Sequence, residues 1–247
     1  MQPFFIAVQF LTRLPVPFKV GYTDKQVAQS VLYYPLVGLL IGGVLLSMAV
    51  LVNSIAPALS AVVVLVLWVL ITGGLHLDGL ADSTDAWAGG YGDTQKSLEI
   101  MKDPAAGPLA VVVLVLLLLA KFSALSYLFE NNYLWALLVA PILGRLSIIV
   151  LFVTTPYIRQ QGLGAEMAEH LDSVQAYAVI AVICGLFIVA FPVLIAITVL
   201  ACVCVVLFLL RKMMLKRLGG MTGDTIGASL EIIETVTLFV IALLVIN

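Results

Sequence analysis

Charge is scarce in this chain. Of its 247 residues only 11% are Asp, Glu, Lys or Arg, while 63% are hydrophobic. A soluble domain carries roughly 25% charged residues, so a water-soluble globular protein is excluded. Histidine and cysteine are nearly missing, at two and three copies. Cys184, Cys202 and Cys204 all lie inside apolar runs and show no ligand spacing to a histidine. That excludes a zinc cluster and a disulfide scaffold. Polar and apolar residues do not alternate along the runs, which excludes a membrane barrel. No basic segment precedes the first apolar stretch, so no cleavable leader is expected. Linkers, low-complexity segments and a strong internal repeat are also lacking, so residues 1–247 are read as a single membrane-embedded domain.

What the chain does have is a series of apolar runs about 20 residues long, each enough to cross a bilayer as a helix. Lipid offers backbone groups no partner, so the crossings must be helical. The expectation is an all-α, polytopic integral membrane helical bundle of about seven transmembrane spans. They are placed at 31–52, 57–75, 108–129, 133–153, 174–190, 192–210 and 228–246. Pro192 divides the 174–210 run, which is too long for one helix. Residues 1–30 hold an apolar segment too short to span, ended by Pro15 and Pro17, and read as an interfacial or re-entrant helix.

Basic residues orient the bundle. Ten of the twelve fall in four segments, 1–30, 76–107, 154–173 and 211–227, while the opposite loops carry none. Seven spans put those four segments on one side, which should be the cytoplasm. Lys121 and Arg145 lie within spans. A charge there is costly unless it is paired or faces a polar cavity. Arg145 is expected to pair with a site carboxylate or to hold a phosphate.

Acidic residues are concentrated as well. Gly73 to Gly107 holds six of fourteen: Asp78, Asp82, Asp85, Asp93, Glu99 and Asp103. Asp78, Asp82 and Asp85 are spaced i, i+4, i+7, which puts them within a sector of roughly 60° on a helix. Such carboxylates raise one another's pKa or share a cation. Oxygen ligands alone favour Mg²⁺ or Mn²⁺, completed by substrate phosphate oxygens. His76 is a ligand, a hydrogen-bond partner or a satisfied interfacial histidine.

Two further segments are candidates. In MKDPAAGP (101–108), Lys102 and Asp103 lead through Pro104 and Pro108 to a helix N-terminus, where free N–H groups favour phosphate. In GGMTGDTIGASLEIIE (219–234), glycines permit close backbone approach, and Asp224 and Glu231 stand nearly on one helical face. Thr222 or Asp224 also suits a plain helix cap. RKMMLKR is read as a positive-inside anchor or a phosphate contact. The acidic residues are expected at the cytoplasmic ends of the spans, none near a span midpoint. That arrangement disfavours a cation-coupled transporter, which would place carboxylates deep in several spans.

GGLHLDGLADSTDAW, MKDPAAGPLA and GGMTGDTIGASLE, with FLTRLPVP near the start, resemble the motifs of the cobalamin synthase family, the adenosylcobinamide-GDP ribazoletransferases. The resemblance covers essentially the whole chain. It implies transfer of adenosylcobinamide phosphate from adenosylcobinamide-GDP to α-ribazole or its 5′-phosphate, with GMP released, in late coenzyme B12 synthesis. It also implies Mg²⁺ as cofactor and the bacterial inner membrane as location. On that reading Asp78, Asp82 and Asp85 carry the metal, with Asp82 central. Asp103, Asp224 and Glu231 serve a second metal or the nucleotide. Lys102, Arg145 and Arg13 meet phosphate. Membrane lipid is a partner and nucleic acid is not; a homo-oligomer is compatible with the sequence. DGLAD also echoes the start of the CDP-alcohol phosphotransferase pattern, but Asp82 stands where that pattern has Arg, so the echo is one of chemistry alone.

Overall fold

The computed structural model describes residues 2–16 and 23–245. Pro17 and Lys19 lie outside these residues, as does Ile246, the expected end of the last span. Among the described residues the fold is all helical, with one isolated parallel bridge between Tyr157 and Met221. Twelve helices follow one another: α1 (Gln2–Leu11), α2 (Asp24–Ser30), α3 (Tyr34–Val52), α4 (Pro57–Thr72), α5 (Leu75–Gly89), α6 (Thr94–Ile100), α7 (Pro108–Glu130), α8 (Ala136–Thr154), α9 (Leu163–His170), α10 (Ser173–Ala190), α11 (Val193–Leu218) and α12 (Gly223–Leu244).

Among the described residues six helical segments are long and apolar enough to cross a membrane, and the number is seven if the bent pair α4 and α5 is counted with them. The first of the six joins α2 to α3 through a short 3-10 turn and begins at Asp24. We read α4 as the second crossing. The chain then turns by 86° into α5. Gly73 and Gly74, at φ 65° and 69°, make that turn; both lie in the left-handed region that favours glycine. The aspartate segment is therefore a helix, as its spacing predicted, and it runs nearly perpendicular to the span before it. Pro192 breaks the long apolar run as expected, serving as N-cap of α11. RKMMLKR lies inside α11, not in a loop, because the helix continues until Gly219 ends it at φ 77°. The last span starts at Gly223, five residues earlier than expected. Thr222 caps it there, its side chain accepting from Thr225 N–H.

The core centres on α3, α8 and α12. α3 meets α8 closely because Gly38 and Gly42 present no side chain. A Cβ on Gly42 would lie 2.7 Å from the Leu137 carbonyl oxygen. Small residues four apart allow this approach between membrane helices. α12 packs between α5, α7, α8 and α11.

The four basic segments meet at one end of the bundle. Arg13 N–H donates to the Ile71 carbonyl at 2.7 Å. The Thr94 hydroxyl donates to the Arg217 carbonyl at 2.9 Å, and the Arg211 guanidinium donates to the Thr154 carbonyl at 2.6 and 3.0 Å. At the other end Asn53 contacts Asn132 at 3.4 Å. The sidedness read from Lys and Arg thus has a structural counterpart.

Candidate active site

The three acidic motifs converge at the basic end. α5 lies against the first turn of α12 with no side chain between them at Gly79. A Cβ there would sit 2.8 Å from the Asp224 carbonyl oxygen. The 101–107 loop is tied to both helices. Asp85 accepts from Gly107 N–H at 2.6 Å and from Ala110 N–H at 3.3 Å. It thereby caps α7, whose own N-cap residue is Gly107 and offers no side chain. The Thr222 hydroxyl points at the Met101 sulfur, 3.8 Å away.

A fourth segment joins them. Ile158 N–H donates to the Met221 carbonyl and Met221 N–H to the Pro156 carbonyl, at 3.1 and 2.8 Å. This short bridge carries Arg159 to Asp224, where Nη2 meets Oδ2 at 2.6 Å. Four carboxylates, Asp78, Asp82, Asp85 and Asp224, then act on one another with Arg159 as the cation among them. Burial first, and then the charges of Asp78 and Asp224, push Asp82 up to about 6. Arg159 only partly offsets them.

This excess of negative charge fits a hard divalent cation. The donor atoms limit how it would be held. Among the described residues, the one group of three or more His, Cys, Asp or Glu with ligand atoms within 4.8 Å of one another is Glu166, Glu169 and His170, a largely exposed set on α9. The aspartate oxygens do not close to that spacing as a trio. Asp85 is engaged by two N–H groups and Asp224 by Arg159, so Asp78 and Asp82 are the less committed carboxylates, and Asp224 would join them on a cation only by giving up Arg159.

The family model described as "Cobalamin-5-phosphate synthase" matches residues 3–242. Proteins named adenosylcobinamide-GDP ribazoletransferase are similar along the whole chain. One from Stutzerimonas stutzeri is 48% identical, covering 98% of both chains. One from Pseudomonas fluorescens is 47% identical, covering 98% of this chain and all of its own. One from Acinetobacter baumannii is 45% identical, covering 97% and 96%. The chain belongs to the cobalamin-5-phosphate synthase family. No solved structure matches it.

Not every residue expected at the site of this cobalamin-5-phosphate synthase family member is there. Arg145 is wholly buried in α8 and pairs with Glu234. Lys121 of α7 bridges Glu231 and Glu234 at 2.6 Å each, and its ammonium lies 4.7 Å from the Trp68 ring centre. Two cations and two carboxylates therefore neutralise one another inside the bundle. This bears on three expectations. Arg145 takes one of the two roles expected of it, a pairing with a carboxylate, but the partner is Glu234 in the core and not a member of the aspartate cluster. Glu231 is committed to Lys121 and is no ligand at the aspartate cluster. Glu234, near the middle of α12, is an acidic residue at a span midpoint. Its charge is matched side by side, so it marks no ion path.

Of the remaining expected residues, Lys102 and Asp103 stand exposed on the 101–107 loop, where Asp103 accepts from Ala105 N–H at 3.0 Å. Arg13 is exposed and lies against Gly73 at the α4–α5 turn. His76 is buried beside Gly227 of α12, and its Nε2 has no hydrogen-bond partner. Sequence reasoning passed over Arg159 and Tyr157 as site residues. The available signal was PYIRQQGLG, a lone arginine among glycine and glutamine on the basic side.

Proposed function

We propose that this chain is an adenosylcobinamide-GDP ribazoletransferase acting from the cytoplasmic face of a bacterial inner membrane, with Mg²⁺ as its cofactor. The supporting observation is the convergence of GGLHLDGLADSTD, MKDPAAGP and GGMTGD on one bundle end, with Asp82 at the centre of their carboxylates. Family membership supplies the substrates. Concentration of Lys and Arg at that end supports the orientation.

In the reaction a ribose hydroxyl of α-ribazole, or of its 5′-phosphate, attacks the phosphorus bound to the cobinamide arm. The new O–P bond forms, the bond to the GMP oxygen breaks, and GMP leaves. The protein's part in such a transfer is positioning and charge stabilisation. Mg²⁺, held by Asp78 and Asp82, would neutralise the diphosphate. Asp82, the central carboxylate, would accept the hydroxyl proton through an oxygen that the metal leaves open. Arg159, already aimed into the cluster, faces the phosphates, together with Lys102 from the neighbouring loop. Asp85 positions that loop through its two N–H bonds.

Purified protein in detergent, given adenosylcobinamide-GDP and α-ribazole, should release GMP only with divalent metal. Asp82→Ala should lower that rate at least 100-fold in protein that stays folded. Absence of GMP release by the wild type, or full activity in Asp82→Ala, overturns the reading.

A further inference from the structure

One cavity opens onto the aspartate cluster and extends away from it. It encloses about 320 Å³ and its walls include Asp78, Arg159 and Asp224. The rest of the lining divides between polar side chains, His76, Tyr157 and Gln161, and an apolar group made by Phe10, Tyr34, Ile148, Phe152 and Met167. Tyr34 stacks on Phe10 with ring centres 6.3 Å apart and planes at 20°. Tyr157 stacks on Phe152 at 6.4 Å and 18°. The cavity thus has one polar end, shared with the aspartate cluster, and one aromatic end set between α1, α3, α8 and α9.

We infer that the aromatic end takes the base of the acceptor nucleoside, leaving its ribose beside Asp78 and Asp224. This rests on the transferase reading and assigns one of its two substrates to a place. Size agrees: ligand pockets run from about 300 to 1,000 Å³, and this one is at the lower end, suited to a nucleoside and far too small for a corrinoid. Polarity selects between the two nucleosides in the reaction. Guanine presents N–H donors and acceptors around its edges, and an apolar wall would leave most of them unpaired. Dimethylbenzimidazole is a bicyclic aromatic with two methyl groups and a single free ring nitrogen. His76, Tyr157 and Gln161, all in the wall, are polar groups available to that nitrogen. A base seated there leaves the ribose at the end of the cavity that Asp78 and Asp224 share with the aspartate cluster.

Two variants change the aromatic end in opposite senses. Ile148→Phe fills it and Phe152→Ala removes a wall; neither residue touches the reacting atoms. Calorimetry of α-ribazole binding, without adenosylcobinamide-GDP, should show at least tenfold weakening in each. The KM for α-ribazole should rise by a similar factor, while that for adenosylcobinamide-GDP stays within twofold. If Ile148→Phe does not fold, Phe152→Ala carries the test. Unchanged α-ribazole binding in folded variants, or a rise confined to the KM for adenosylcobinamide-GDP, overturns the inference even if GMP release is normal. Conversely, α-ribazole binding that the variants weaken, in a protein that never releases GMP, upholds the cavity and defeats the transferase reading.

Discussion

Replacing Glu234 by Ala tests the buried charge network directly. Glu234 and Arg145 are both fully buried, and Glu234 also holds Lys121 at 2.6 Å. In the intact bundle Lys121 and Arg145 face Glu231 and Glu234, so the network carries no net charge. Removing Glu234 leaves one positive charge unmatched. Arg145 is hit hardest, because its Nε and Nη2 already lack protein partners. Breaking one partner of a buried ion pair costs about 3–5 kcal/mol, or two to three and a half decades in the folding equilibrium. The assay is reversible unfolding in mixed dodecyl maltoside and SDS micelles, followed by tryptophan fluorescence. The double variant Arg145→Met, Glu234→Leu removes the stranded charge and should recover most of the loss, since well-packed apolar replacements of buried pairs are often neutral. Glu234→Ala within about 1 kcal/mol of wild type, or a double variant no better than the single, would refute the reasoning.

Three other outcomes follow from the site. Asp85→Ala removes the cap of α7 and should cost about 1–2 kcal/mol; hydrogen exchange should quicken over residues 101–110, and Asp85→Asn, which keeps an acceptor, should recover part of the protection. Asp82 sets a pH dependence: its folded pKa is raised to about 6, so the folded state binds its proton more tightly than the unfolded chain does, and metal-free stability should fall as pH rises from about 4 to 6. Mg²⁺ should therefore raise the melting temperature more at pH 7.5 than at pH 5, and Asp82→Asn should abolish that difference; equal shifts at both pH values would contradict it. Gly79→Ala forces a Cβ to 2.8 Å from the Asp224 carbonyl, so α5 and α12 must part; GMP release should fall at least tenfold and unfolding should become easier by about 1–3 kcal/mol.

The parts of this fold legible in the sequence are those set by local pattern. Apolar runs located the crossings, Pro192 divided the longest one, and the i, i+4, i+7 aspartates implied the helix that α5 turns out to be. Convergence of the acidic motifs was legible because the positive-inside pattern put them on one side. What escaped depends on contacts between distant residues. Lys121 and Glu231 are 110 positions apart, and nothing local distinguishes a core counter-ion from a substrate ligand, so Arg145 and Glu231 were assigned to the site. Asp85 looked equivalent to Asp78 and Asp82 because helical spacing says nothing about the α7 N-terminus it faces. Arg159 reaches Asp224 only through the Tyr157–Met221 bridge, which no periodicity announces. The Gly38 and Gly42 spacing was readable in principle, but it takes α8 to show which face it serves.

The buried network also bears on how the protein is made. Lys121 and Arg145 belong to α7 and α8, while both matching carboxylates belong to α12, which is synthesised after them. Each such charge costs about 2.5–3.5 kcal/mol at the centre of a lone inserting helix. Until α12 arrives, the nascent bundle holds two cations with no counter-charge, and α12 is itself a poor substrate for insertion without them. Membrane integration of α12 is therefore conditional on α7 and α8 already being side by side. A chain cut short before residue 223 would stay charged in the bilayer and be a ready target for membrane proteases.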